Sequence, residues 1–107
     1  MVILKIDSDE AKAHIARTIL EALPDWFGIP ESTEEYIADS MGKPFFCAYD
    51  GDRPVGFLYL KETGRHTVEL AVMGVLKADH RLGVGRKLFA EAKNEAKRVG
   101  GPAENFV

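Results

Sequence analysis

Apolar residues follow two different periods along this chain. "VILKI" (2–6), "PFFCAYD" (44–50), "PVGFLYLKE" (54–62) and "TVELAVMGVL" (67–76) are short runs rich in β-branched and aromatic residues, and they predict strands. Ile15, Ile19, Leu20 and Leu23 recur at helical spacing instead. They predict an amphipathic helix over 8–23, with Asp7 as N-cap, Glu10 three residues further on, and Pro24 as the stop. "STEE" (32–35) reads as a capping box and predicts a short second helix reaching Met41. Leu88, Phe89 and Ala92 form the apolar face of a third helix over 84–98, stopped by Gly100-Gly101-Pro102.

Turn chemistry joins these elements. Asp-Gly in "DGDR" (50–53) tolerates the positive φ of a tight hairpin, and "TGRH" makes the next turn. The three runs between 44 and 76 therefore form an antiparallel meander. The length and apolar character of 67–76 predict a central strand. "AENFV" (103–107) resembles the first residues of one more strand. The order is β, α, α, β, β, β, α. That predicts a mixed α/β, or α+β, fold: a mostly antiparallel central sheet flanked by helices, in a single domain over 1–107.

Composition narrows the setting. Apolar residues are 46% and charged residues 29% of 107, values ordinary for a soluble globular domain. A net charge of −3 argues against nucleic acid as a partner. No apolar run approaches the ~20 residues of a membrane span. "MVILKIDSDE" lacks the basic and apolar regions of a signal peptide. Cys47 is the only cysteine and has no internal disulfide partner, which fits a reducing cytoplasm. In its strand it reads as packing rather than as a nucleophile. The three histidines are scattered and do not make a metal site.

"DHRLGVGRKLF" (79–89) carries the candidate chemistry. Gly83 and Gly85 precede a helix and sit among Arg81, Arg86 and Lys87. A helix N-terminus has unpaired N–H groups and the positive end of the macrodipole, so it attracts anions. Glycines let the backbone approach a bulky phosphate. A dinucleotide fingerprint fails because its third glycine would fall at Leu88, and a Walker A loop fails at His80 and Arg86-Lys87. The bare alternative is a tight turn with solvated basic residues.

His80-Arg81-Leu82-Gly83-Val84-Gly85 resembles the acyl-CoA loop of the GCN5-related N-acetyltransferases, [Q/R]-x-x-G-x-[G/A]. "ELAVMGVLKADHRLGVGRKLF" (69–89) is similar to the family's core of fourth strand, pyrophosphate loop and third helix. The N-terminal strand, the two helices around "LPDWFGIP" and the "FFCAYDGDRPVGFLYL" hairpin follow in the family's order, so the resemblance spans the chain. It departs from the pattern at His80, where the family has Gln or Arg.

The resemblance implies an acyl-CoA N-acyltransferase fold that ends after the third main helix, without the C-terminal strand, helix and hairpin. It implies acetyl-CoA as cofactor. The pyrophosphate would lie on His80, Arg81, Leu82, Gly83, Val84, Gly85 and Arg86, and the pantetheine arm along Met73, Gly74 and Val75. Gly74 independently suggests a bulge or a close backbone approach. A backbone N–H near Met73–Val75 would polarise the thioester carbonyl.

A primary amine, from a small molecule or a peptide, would attack the thioester directly, with no acyl-enzyme. Trp26 and Phe27 would wall the acceptor pocket; a satellite apolar cluster is the other reading. Simple alternation places Glu69, Ala71 and Met73 on one face of the strand and Val68, Leu70 and Val72 on the other. By resemblance Glu69, fourteen positions before Gly83, would be the general base. A carboxylate of pKa ~4.3 suits an amine of ~10.4 only if burial raises it or a water intervenes. A structural glutamate paired with Arg65 or Lys61 is the alternative.

In the family the leaving thiolate is often protonated by a tyrosine from the C-terminal part, and no residue here inherits that role. Two further functional readings stay open: an acetyl-CoA-binding module without turnover, and an interaction domain that kept the fold. A strand 67–76 without a complete neighbour would be an exposed apolar edge, and so a route to a homo-oligomer. The sequence does not name the acceptor.

Overall fold

The computed structural model describes residues 1–24, 28–64, 67–77 and 83–98. The elements are β1 (Val2–Ile6), α1 (Asp9–Glu21), α2 (Pro30–Asp39), β2 (Phe45–Asp50), β3 (Arg53–Gly64), β4 (Thr67–Val75) and α3 (Val84–Arg98). The strands form one antiparallel sheet in the order β1-β2-β3-β4. The expected mixed α/β architecture is what forms.

The two sheet faces bury different cores. On one face α1 and α2 lay Ile15, Ile19, Leu20, Leu23 and Ile37 against Phe45, Cys47, Phe57, Tyr59 and Val72. Phe45 and Phe57 stack with ring centroids 5.3 Å apart, and Tyr59 stacks on Phe45 at 6.1 Å. On the other face α3 places Val84, Leu88 and Ala92 over Phe46, Ala48, Val55, Leu58, Leu60 and Val68. Alternation along β2 and β3 separates the two sets.

Several local expectations change. The N-cap of α1 is Ser8, whose hydroxyl accepts from Ala11 N–H at 3.2 Å; Asp7 precedes it. A serine preceded by one further polar residue satisfies the same orphan donor one position later. Helix α2 begins at Pro30, so Ser32 is inside it and "STEE" is no capping box. Proline at the first helical position already supplies a helical φ and lacks the N–H a cap would serve. Asp50 pairs with Arg53 and Gly51 has φ +64°, as the "DGDR" turn requires.

Among the described residues β4 pairs with β3 alone, and the central position expected of it rests on a further neighbour. The expected strand at 103–107 lies outside the described residues. The pairing of β4 with β3 steps from Tyr59↔Val72 to Leu60↔Leu70, which leaves Ala71 as an extra residue. The bulge is therefore at Ala71. Gly74 is in regular register opposite Phe57. The extra residue also overturns the face assignment. Val72 joins the α1 core while Val68 and Leu70 join the α3 core, so these three do not share a face. Glu69, one residue from Leu70, falls on the α1 face, and Met73 falls on the α3 face.

Candidate acyl-CoA site

The N-terminus of α3 is built by Gly83. Its φ is +71°, a value that favours glycine, and its carbonyl accepts the first helical bond from Lys87 N–H at 3.1 Å. The N–H groups of Val84, Gly85 and Arg86 precede that bond, so no acceptor inside the helix reaches them. Arg86 and Lys87 are exposed beside them. His80, Arg81 and Leu82 lie outside the described residues.

β4 runs up to this helix end. Leu76 N–H donates to Val55 carbonyl at 2.9 Å. In an antiparallel ladder, successive residues turn their backbone groups alternately toward the partner and away. Gly74 opposite Phe57 thus turns toward β3, and Met73 and Val75 turn their N–H and C=O to the outer edge of β4. Their side chains face α3. A Cβ at Gly85 would stand 3.7 Å from Met73 Cε and 4.0 Å from Val75 Cγ2. The outward backbone of β4 and the free turn of α3 are therefore neighbours. Three converging N–H donors, two basic side chains and a neighbouring strand edge fit a pyrophosphate joined to an extended amide chain.

One glycine, Gly56, allows this approach, and a second, Gly74, lets α1 close on the other face of the sheet. A Cβ on Gly56 would sit 2.9 Å from Val84 Cγ1 and 3.3 Å from Gly74 carbonyl oxygen. A Cβ on Gly74 would sit 3.2 Å from Phe57 Cε1 and 3.3 Å from Ile19 Cγ2. Gly56 was not singled out in the sequence. Its signal was a glycine inside an otherwise strand-forming run, "PVGFLYL".

Glu69 is half-buried and stands in register opposite Lys61 on β3, one of the two partners that the structural alternative named. Arg65, Trp26 and Phe27 lie outside the described residues. Beside the start of α2, a cavity of about 290 Å³ opens between α1 and α2, lined by Arg17, Glu21, Pro24, Gly28, Pro30, Thr33 and Glu34. Arg17 grips both oxygens of Glu34, at 2.7 and 2.8 Å, and ties the two helices together. The pair raises the guanidinium pKa, through the hydrogen bond to Glu34 first.

Cys47 is fully buried in the α1 core, and burial raises its thiol pKa to about 12. That leaves essentially no thiolate at neutral pH, as a packing role requires. Tyr59 is buried too; its hydroxyl donates to Tyr36 carbonyl at 2.9 Å, and burial first, then Asp39, raises its pKa.

The comparisons with known proteins bear on the family and the fold. The family model described as "Acetyltransferase (GNAT) family" matches residues 11–104. An aminoglycoside 6'-N-acetyltransferase solved with coenzyme A superposes with a TM-score of 0.79 at 21% identity, covering 94% of this chain and 58% of that one. An aminoglycoside 6'-acetyltransferase type Ii gives 0.77 at 23% identity, covering 94% and 67%. An IAA acetyltransferase from Bacillus cereus ATCC 14579 gives 0.69 at 26%, covering 92% and 59%. At identities under 25% the likeness is one of fold. No curated protein matches the sequence. With the match spanning nearly the whole chain and the strand edge, glycine turn and helix in register, the chain belongs to the GNAT acetyltransferase family.

Proposed function

We propose that this chain binds acetyl-CoA and passes its acetyl group to a primary amine. The observation that carries this reading is the meeting of the outward backbone of Met73 and Val75 with the Gly83–Arg86 turn. The pyrophosphate lies against residues 80–86, with Arg81 and Arg86 adding charge-assisted bonds. The pantetheine amides pair with the β4 edge as an added strand would. The bound cofactor supplies an acetyl thioester, already activated toward nucleophiles.

The chain's own residues then act from two sides. A backbone N–H of the Met73–Val75 segment donates to the thioester carbonyl oxygen and stabilises the charge that grows there. The amine arrives on the α1–α2 face, past Trp26 and Phe27. Glu69, on that same face, takes the ammonium proton directly or through a water. Nitrogen bonds to the carbonyl carbon, the C–S bond breaks, and the departing thiolate takes up, through solvent, the second proton that the nitrogen loses as it becomes an amide.

Charge is divided accordingly. The sequences of α1 and α2 hold seven carboxylates against two Lys/Arg, and α3 holds five Lys/Arg against two carboxylates. An anionic cofactor is drawn to one side and a cationic acceptor to the other.

A second reading is an acetyl-CoA-binding module without turnover. The chain spans 58% of the length of the aminoglycoside acetyltransferase it superposes on, so turnover is a separate question from binding. Titration calorimetry with acetyl-CoA, beside Gly83→Asp, tests the shared part. Saturable binding that the aspartate abolishes supports the site; no binding by a folded chain overturns both readings. Acetyl transfer to a panel of amines, measured on the binding-competent chain, then separates enzyme from module.

A further inference from the structure

β1 ends the sheet on the side opposite β4, and among the described residues β2 is its one strand neighbour. Open edges are normally guarded by a proline, a bulge or an inward charge. "VILKI" has no proline, and its pairing with β2 runs without a register shift. Its single charge, Lys5, is turned onto the α3 face and held by Glu95 at 2.6 Å. Val2 and Leu4 are 55% and 49% exposed, on the α1 face beyond the reach of the helix.

The direction of the free backbone groups follows from β3. Leu60 N–H donates to Pro44 carbonyl, so even-numbered residues of β2 turn toward β3 and Phe45, Cys47 and Tyr49 turn toward β1. Val2, Leu4 and Ile6 pair with these three. Ile3 and Lys5 therefore turn their N–H and C=O outward.

We propose that β1 pairs with β1 of a second copy of this chain, antiparallel and about a two-fold axis through Leu4. The register is self-complementary. Ile3 meets Lys5 of the partner, and both point their backbone groups at one another. Leu4 then meets Leu4 of the partner in the close, non-hydrogen-bonded position, and Val2 meets Ile6. No like charges are brought face to face, because each Lys5 stays with its own Glu95. The two sheets continue into one, and neither β4 takes part in the contact. The proposal is independent of the acetyl-CoA reading, which uses the other end of the sheet.

Sedimentation velocity over a concentration series tests it, with Leu4→Glu and Leu4→Lys. Leu4 is half exposed, so either variant folds, as circular dichroism verifies. The expected result is a dimer that each variant weakens by at least about tenfold, since like charges stand directly opposite. An equimolar mixture of the two variants should recover it. A wild-type chain that stays monomeric overturns the proposal. So does a dimer that Leu4→Glu leaves intact, which would place the contact elsewhere, the β4 edge included.

Discussion

Gly56 on β3 lies directly beneath Val84, the first residue of α3. A methyl group on Gly56 would stand 2.9 Å from Val84 Cγ1, closer than carbon atoms approach, and 3.3 Å from Leu88 Cδ1. The missing side chain sets how closely the helix end rides over β3 and β4. It thereby sets the distance between the Gly83 turn and the outer edge of Met73 and Val75. A position with no chemistry of its own fixes the geometry of the site.

Gly56→Ala should therefore destabilise the fold by about 1–3 kcal/mol, the usual cost of overpacking a filled core. A urea melt reads it as a lower midpoint at unchanged slope. Acetyl-CoA affinity should fall as well, because the helix end moves off the strand. Unchanged stability would mean that α3 is not held where described.

The two loop glycines should behave differently. Gly83 has φ +71°, and an alanine there is strained by roughly 1–2 kcal/mol. Gly85 has no positive φ, and its Cβ would make ordinary contact with Met73. Gly85→Ala should leave the melting temperature unchanged or raised, helped by helix propensity of up to ~1 kcal/mol. Thermal melts of the two variants side by side decide this.

If acetyl transfer is observed, Glu69→Gln should lower kcat by about a hundredfold, within the usual range for general bases, and leave acetyl-CoA affinity alone. The deficit should shrink at alkaline pH, where more of the acceptor is already a free amine. Lys61→Met is the control for the cross-strand pairing. Loss of folding stability in Glu69→Gln with unchanged kcat would assign the glutamate a structural role.

Acid should weaken the α1–α2 side first. The Asp9 carboxylate is held below the ordinary value by Gly42 N–H, at 3.1 Å, and then by Lys12. Asp39 is held below it by Lys43. A carboxyl whose folded pKa is depressed stabilises the fold above its unfolded pKa, ~3.9, and that contribution is lost as pH falls through the lower folded value. Asp9→Asn and Asp39→Asn should each flatten the acid limb of stability against pH. Denaturant midpoints measured from neutral pH down to acid read the slope.

Much of the molecule was legible before folding. Helix α3 runs from Val84 to Arg98, as its periodicity required, because an amphipathic helix opening on a glycine turn is a local object. The Asp50–Arg53 hairpin is local in the same sense. The helix starts were less legible. Ser8 and Pro30 compete with Asp7 and Ser32 on nearly equal terms, and packing of α1 and α2 on the sheet settles which one caps.

The sequence by itself determined the elements, their order and the glycine turn, since these rest on propensity, periodicity and backbone freedom within a few residues. The faces of β4 were decided only in the tertiary structure. Ala71 carries no mark that would single it out; it is extra because β3 pairs Tyr59 with Val72 and Leu60 with Leu70. That one unmatched residue sends Glu69 to the α1 face and Met73 to the α3 face. Registry between strands is a property of two segments at once, and neither segment contains it alone.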